Sequence, residues 1–234
     1  LILTKSGSDL IVQVKAMSEA ATQFSLIASG HTEAIEGSVC ISATELTAAF
    51  QLPPIIAKLR NKWPNIDVEI VASNESSDLL RREADIAIRN FRPTQQDLIA
   101  KRVNGTIGHL YAAKSYLKNI KKRESPQDLS EAIFLGVDRS NTIISYLNKF
   151  GFSLTARNFQ LIVANNLVLW EMVKHGNGIG FMTENIGDAE PLVERVLPCF
   201  PAFEKDTWLV AHKELKTSKR LRIVFDFLAA ELSN

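Results

Sequence analysis

The feature that most constrains this chain is a succession of short apolar strands, each running through a polar turn into an amphipathic helix. The stretch Ser38–Trp63 shows it first. Val39, Cys40 and Ile41 make an apolar run of strand length, and Ser42, Ala43 and Thr44 interrupt it. Leu52, Ile56, Leu59 and Trp63 then recur at steps of four, three and four, one face of a helix. Pro53-Pro54 fits the first turn of that helix. Ser42 and Thr44 stand where side-chain oxygens accept from the unpaired N–H groups of a helix start. Such N–H groups, backed by the helix dipole, also hold anions and polar ligands. Open α/β sheets place ligands at this kind of turn.

The unit recurs. Ile66–Ala72 alternates apolar residues with Asp67 and Glu69, a strand of period two. Ser73, Asn74, Ser76 and Ser77 open a short helix through Leu79 and Leu80, and Ile86–Ile88 is a third strand ending on Arg89. The order then repeats. After a strand at Ile107–Ala113 come a strand at Ala132–Val137, a turn at Asp138–Thr142 and a helix carrying Ile143, Ile144, Leu147 and Phe150. A strand at Phe159–Val163 runs through Asn165-Asn166 into a helix with Leu169, Met172 and Val173, and Ile179–Met182 is the next strand. Trp208–Ala211 adds a strand and Leu221–Leu232 a helix. Strands alternating with helices predict parallel pairing in an α/β fold. Two lobes are expected, one from residues 37–104 and 199–234, the other from 105–198.

Before this region, Leu10, Val14, Met17, Ala21, Phe24 and Ala28 follow steps of four and three, the a/d seam of roughly three heptads. Ser8 and Asp9 cap this long linker helix, Gly30 ends it, and polar residues fill its other faces. An amphipathic helix packed on its own domain is the alternative; the narrow stripe favours a partner chain.

Composition excludes more than it selects. With 46% apolar and 23% charged residues, the 234-residue chain has the balance of an ordinary globular protein. No apolar run reaches the ~18–20 residues of a membrane span, and no basic-then-apolar leader is present. A net charge of +1 supplies no nucleic-acid footprint. The basic run Lys118–Arg123 reads as a solvated loop. Cys40 and Cys199 match no metal or redox spacing, and His31, His109, His175 and His212 are scattered singly. No metal or cofactor is expected. Gly176, Gly178 and Gly180 follow a helix and open a strand, the reverse of a dinucleotide fingerprint, so a helix C-cap is expected. Ser42 and Ser140 have no evident His partner, and nothing points to catalysis.

What remains is polar turns at helix starts: Ser42/Thr44, Ser73/Asn74, Ser140/Asn141 and Asn165/Asn166. Singly, each is a helix cap. Together they describe a cleft between lobes, lined by N–H groups and neutral hydrogen-bonders, with Arg89 adding a charge for a carboxylate or phosphate. Such a cleft suits a small polar or anionic ligand, and closing it moves the lobes.

Several motifs also resemble the LysR-type transcriptional regulators. Leu3-Thr4-Lys5-Ser6-Gly7 is similar to the "LTxxG" close of that family's winged helix–turn–helix, which its dimerising helix follows. Gly37–Ser42 resembles the start of the effector domain, Leu52-Pro53 its "LP", and Trp63-Pro64 the aromatic-Pro pair before its second strand. Leu80–Arg89 is similar to "L..g..DlaiR", and Val173–Gly180 to "V..G.GIa". The resemblance implies a two-lobed, periplasmic-binding-protein-like (type 2) effector domain of a bacterial cytoplasmic regulator. It implies a homodimer or homotetramer, DNA binding through a winged helix–turn–helix of which residues 1–7 are the end, and a linker over residues 8–36. Carried over, the effector contacts fall on Thr44, Ser73 or Asn74, Arg89, Asn141 and Asn166. The chain departs where Phe181-Met182-Thr183 replaces the family's Leu-Pro, and in a shorter turn before Asp85. A transport solute-binding protein would share the cleft but not the heptad helix, and an enzyme on this fold would need a nucleophile–base pair.

Overall fold

The computed structural model describes residues 35–74, 84–95, 97–212 and 218–233, together with Val14 and Met17. The expected helix through Leu79 and Leu80 lies outside them, as do Leu10, Ala21, Phe24 and Ala28. The first lobe opens with β1 (Gly37–Ala43), a π-turn over Thr47–Gln51, α1 (Leu52–Lys62), β2 (Ile66–Ala72) and β3 (Ile86–Arg89). β1 pairs in parallel with β2 on one side and β3 on the other. All four residues of β3 are buried, as expected of a strand covered on both faces. β2 is the edge, and Asp67 and Glu69 along it discourage pairing with another chain. The Cys40 thiol is pushed up to about 11, by burial first and then by Glu69 and Asp85, so it stays protonated at neutral pH.

The π-turn has a cause in the sequence. Pro53 and Pro54 have no N–H to give to the carbonyls of Ala49 and Phe50, and their rings would crowd those carbonyls. The chain widens instead, and Leu52 donates to Thr47 O before the prolines take up the first turn of α1.

From lobe one the chain crosses along β4 (Leu98–Ala113), then forms α2 (Lys114–Leu117), β5 (Leu135–Gly136), α3 (Thr142–Asn148), β6 (Leu161–Ile162), α4 (Asn166–Lys174), β7 (Gly180–Thr183), α5 (Glu184–Gly187) and β8 (Val193–Arg195). β9 (Phe203–His212) carries it back, and α6 (Lys219–Glu231) closes onto the first core. In α6, Leu221, Val224, Phe225, Leu228 and Ala229 form the buried stripe, and Ser218 caps its start. β5 and β6 pair in parallel, and a parallel bridge joins Phe134 to Ile179 just before β7. Each lobe is therefore three parallel strands followed by one long antiparallel strand, β9 beside β3 and β4 beside β7. At the end of α4, Gly176 (φ +80°) and Asn177 bond back to the carbonyls of Val173 and Met172, the expected C-cap.

Parallel pairing throughout is corrected. β4 and β9 are antiparallel to each other and to β3 and β7, because each long strand must leave one lobe and enter the other. They join both lobes into one seven-stranded sheet with β8 on β4. Where they cross, β4 gains one residue between Val103 and Thr106, a bulge opposite Lys205–Thr207. A Cβ on Gly105 would lie 2.9 Å from Lys205 O, so this close approach requires glycine. Around the bulge Asn104, Gly105, Ile107 and Glu204–Asp206 are exposed, while Val103 and Thr207 beside it are buried.

In lobe two Tyr111 donates to Asp188 Oδ1 at 2.8 Å, and Arg195 also bonds that carboxylate. Arg195 and then Tyr111 hold the Asp188 carboxyl below the usual range, while burial and Asp188 raise the Tyr111 hydroxyl.

Two outcomes follow. Leu59→Ala, removing a fully buried side chain of the first core, should cost about 2–5 kcal/mol in urea unfolding. A depressed folded-state carboxyl contributes stability that is complete above its ordinary value of 3.8 and is lost as pH falls below it. Asp188→Asn should therefore lower melting at neutral pH and flatten its acid limb.

Candidate functional site

The turn after β1 brings Thr44 to the face of the second lobe. Its Oγ1 accepts from Thr47 N at 3.3 Å and donates to Thr47 Oγ1 at 3.0 Å, which anchors the π-turn. Across from it, Asp138 accepts from Ser140 N at 2.8 Å, and Ser140 Oγ donates to Thr142 Oγ1 at 3.0 Å. The Ser140 bonds hold the Asp138 carboxyl below its ordinary range. At the start of α4, Asn165 Oδ1 accepts from the N–H groups of Leu167 and Val168, each at 3.0 Å.

Glu45 reaches from lobe one to that same helix start. Its Oε1 accepts from Asn165 Nδ2 at 2.7 Å and its Oε2 from Asn166 N at 3.0 Å, and Asn74 Nδ2 donates to Oε2 at 3.0 Å. The chain's own carboxylate thus sits on the N-terminus of α4, where the dipole favours negative charge. It ties the lobes together across the cleft.

Between the lobes lies a cavity of about 580 Å³. Of the expected contacts, Thr44, Ser140 and Asn166 line it; Ser42, Ser73, Asn74, Arg89 and Asn141 do not. Ser42 is fully buried in β1, and Arg89, 2% exposed, donates to Ser42 Oγ at 2.7 Å and to Ile88 O at 3.1 Å. The Arg89 guanidinium is engaged inside the first lobe, and Asn90 beside it takes the place on the cavity wall. Ser73 N closes onto Ala43 O, Asn74 is spent on Glu45, and Asn141 precedes α3 without a side-chain cap bond.

Sequence reasoning missed the cavity's body. Phe134, Tyr146, Phe159, Phe181 and Phe203 line it with Leu110, Leu135, Ile143 and Ile179. Phe203 packs on Phe181 at 5.8 Å and on Tyr146 at 5.9 Å between ring centroids, and Phe134 on Phe159 at 5.7 Å. These rings come from β7, β9, α3 and loops far apart in sequence, so no periodicity groups them. Phe181, where the family's Leu-Pro is replaced, is the one signal that pointed here. Gln51 and Thr47 line the cavity from the π-turn, another site only the folded chain reveals. Among the described residues no group of three His, Cys, Asp or Glu could hold a metal, and no helix is long and apolar enough to cross a membrane.

A cavity between two α/β lobes, hinged on paired crossing strands, defines a ligand-binding domain of the type 2 periplasmic-binding architecture. Residues 32–233 match the model of the LysR substrate binding domain, and the chain belongs to that family. It is 26% identical over 195 residues to an HTH-type transcriptional regulator of Xanthomonas campestris, covering 78% of this chain and 56% of that protein. The chain thus spans little more than half of that relative. In structure it resembles the regulatory domain of CrgA, a LysR-type regulator from Neisseria meningitidis (TM-score 0.73, 21% identity, 84% of this chain and 99% of that one). The CcmR regulatory domain of Synechocystis PCC6803, solved in complex with 2-PG, is also similar (TM-score 0.69, 16% identity, 85% and 99%).

Glu45→Ala should speed amide exchange at Asn166 about tenfold by removing a charged acceptor. Leu167 and Val168, still capped by Asn165, serve as internal controls in the same exchange experiment.

Proposed function

We propose that this chain is the effector-sensing part of a bacterial cytoplasmic LysR-type transcriptional regulator. A small molecule enters the cavity between the lobes, shifts their closure about the β4–β9 crossing, and so alters DNA binding by a winged helix–turn–helix. The observation that carries this is a cavity of about 580 Å³ within the ~300–1,000 Å³ range of small-molecule sites, lying between the two lobes rather than inside one core. Val14 and Met17, helical and 61% and 73% exposed, support a partner helix and hence a homodimer or homotetramer. Those exposed residues favour the regulator over a solute-binding protein, which would share the cleft. Thr44, Ser140 and Asn166 are the contacts we retain from the sequence, and the role is binding rather than catalysis.

The test is thermal unfolding against a metabolite panel, followed by DNA-binding anisotropy of the full-length protein with each hit. A ligand at ~100 times its dissociation constant should add ~2.7 kcal/mol. Thr44→Val should weaken it at least about tenfold, a larger effect than the ~1 kcal/mol of stability lost with its bonds to Thr47. Hits that leave DNA affinity unchanged would count against a regulator.

A further inference from the structure

Resting on the cavity being the effector site, we infer that its ligand is an uncharged molecule with an aromatic or aliphatic body, not an anion. Three observations converge on this. First, the anion position at the start of α4 is already filled by Glu45, held by Asn165, Asn166 and Asn74. A ligand carboxylate would have to displace it or lie beside a like charge, which disfavours the ionised form. Second, Arg89, the cation expected to receive an anion, is buried in lobe one with its guanidinium bonded to Ser42 and Ile88. Among the described residues the charged groups lining the cavity are Asp138, Glu204 and Lys205, two carboxylates against one ammonium. Third, most of the exposed wall is rings and branched aliphatics, where a charge loses hydration that the few neutral hydroxyls and amides replace only in part.

The hydroxyls and amides that do face the cavity, Thr44, Thr47, Gln51, Thr142 and Asn166, suit a ligand with one or two neutral polar groups on an apolar frame. An alcohol, phenol, ketone or amide meets that description. An aromatic frame would stack against the Phe181–Phe203 pair, whose rings hold a 69° edge-to-face arrangement.

Three probes of one shape separate the possibilities: 1-naphthalenemethanol, 1-naphthoate and 1-naphthylmethylammonium, titrated calorimetrically into the whole 234-residue chain. The alcohol should bind at least about tenfold more tightly than either charged partner. Val137→Trp, which enlarges a 45% exposed cavity residue, should weaken the alcohol about tenfold or more. Tyr146→Ala, also on an exposed position, gives a second check on location. Glu45→Ala, by vacating the α4 N-terminus, should tighten naphthoate about tenfold. Melting curves confirm that each variant is folded.

Naphthoate or the ammonium binding as tightly as the alcohol, and weakened by Val137→Trp, would overturn the uncharged class while leaving the cavity as a ligand site. Alcohol binding indifferent to both Val137→Trp and Tyr146→Ala would also overturn it, by placing the site elsewhere. No binding of any probe, to the native chain or to Glu45→Ala, would overturn the inference and the cavity's role together.

Discussion

The two lobes communicate through one pair of antiparallel strands that slip register by a residue as they cross. Everything else about the molecule is arranged around that pairing. β4 and β9 are continuous strands, so the lobes cannot separate, yet beyond Val103, the last residue of β4 in the first core, the bulge at Asn104-Gly105 is exposed. The buried clusters lie on either side and do not merge. Turning one lobe against the other would shift the contact of Leu46 with the second-lobe core while leaving the remaining packing of each core in place. A fold of this kind turns the contents of its cleft into a change of angle.

The angle between the lobes is held in part by a polar contact, beside the packing of Leu46 on the second-lobe core. Glu45 is short enough to stay near its own turn and charged enough to seek the α4 N-terminus in the opposite lobe. It satisfies donors that a helix start otherwise exposes. The neighbouring polar groups are consumed in the same way: Asn74 on Glu45, Arg89 on Ser42, Ser140 on Thr142. What faces the open space is then largely hydrocarbon. Hydroxyl and amide residues at the mouth of a cleft do not make its interior polar, because much of their hydrogen-bonding capacity is directed at the backbone and at one another.

Much of the fold was legible residue by residue. The period-two pattern of Ile66–Ala72, the buried stripe of α6 and the capping Asn165 were all readable, because each rests on contacts within a few residues. The long strands were not. Lys101–Ile107 and Glu204–Asp206 carry mixed polarity, since a strand passing between lobes is largely exposed for part of its length. The site was half legible. Thr44, Ser140 and Asn166 could be named from their place at helix starts, whereas Arg89 looked available and is buried, because a strand end in sequence is not an opening in space.

By itself the sequence determined the elements, their order and the family, since hydrophobic period, capping residues and short motifs are local and survive without coordinates. It also placed Pro53 and Pro54 in the first turn of α1, because a proline there gives up no intrahelical bond. Only the tertiary structure decided which strands run through both lobes, which polar groups remain for a ligand, and that aromatic rings from distant segments make the cavity wall. Those properties depend on who meets whom across the cleft. Glu45 and Asn166 are 121 residues apart along the chain and 3.0 Å apart in the fold, and no local pattern encodes that distance.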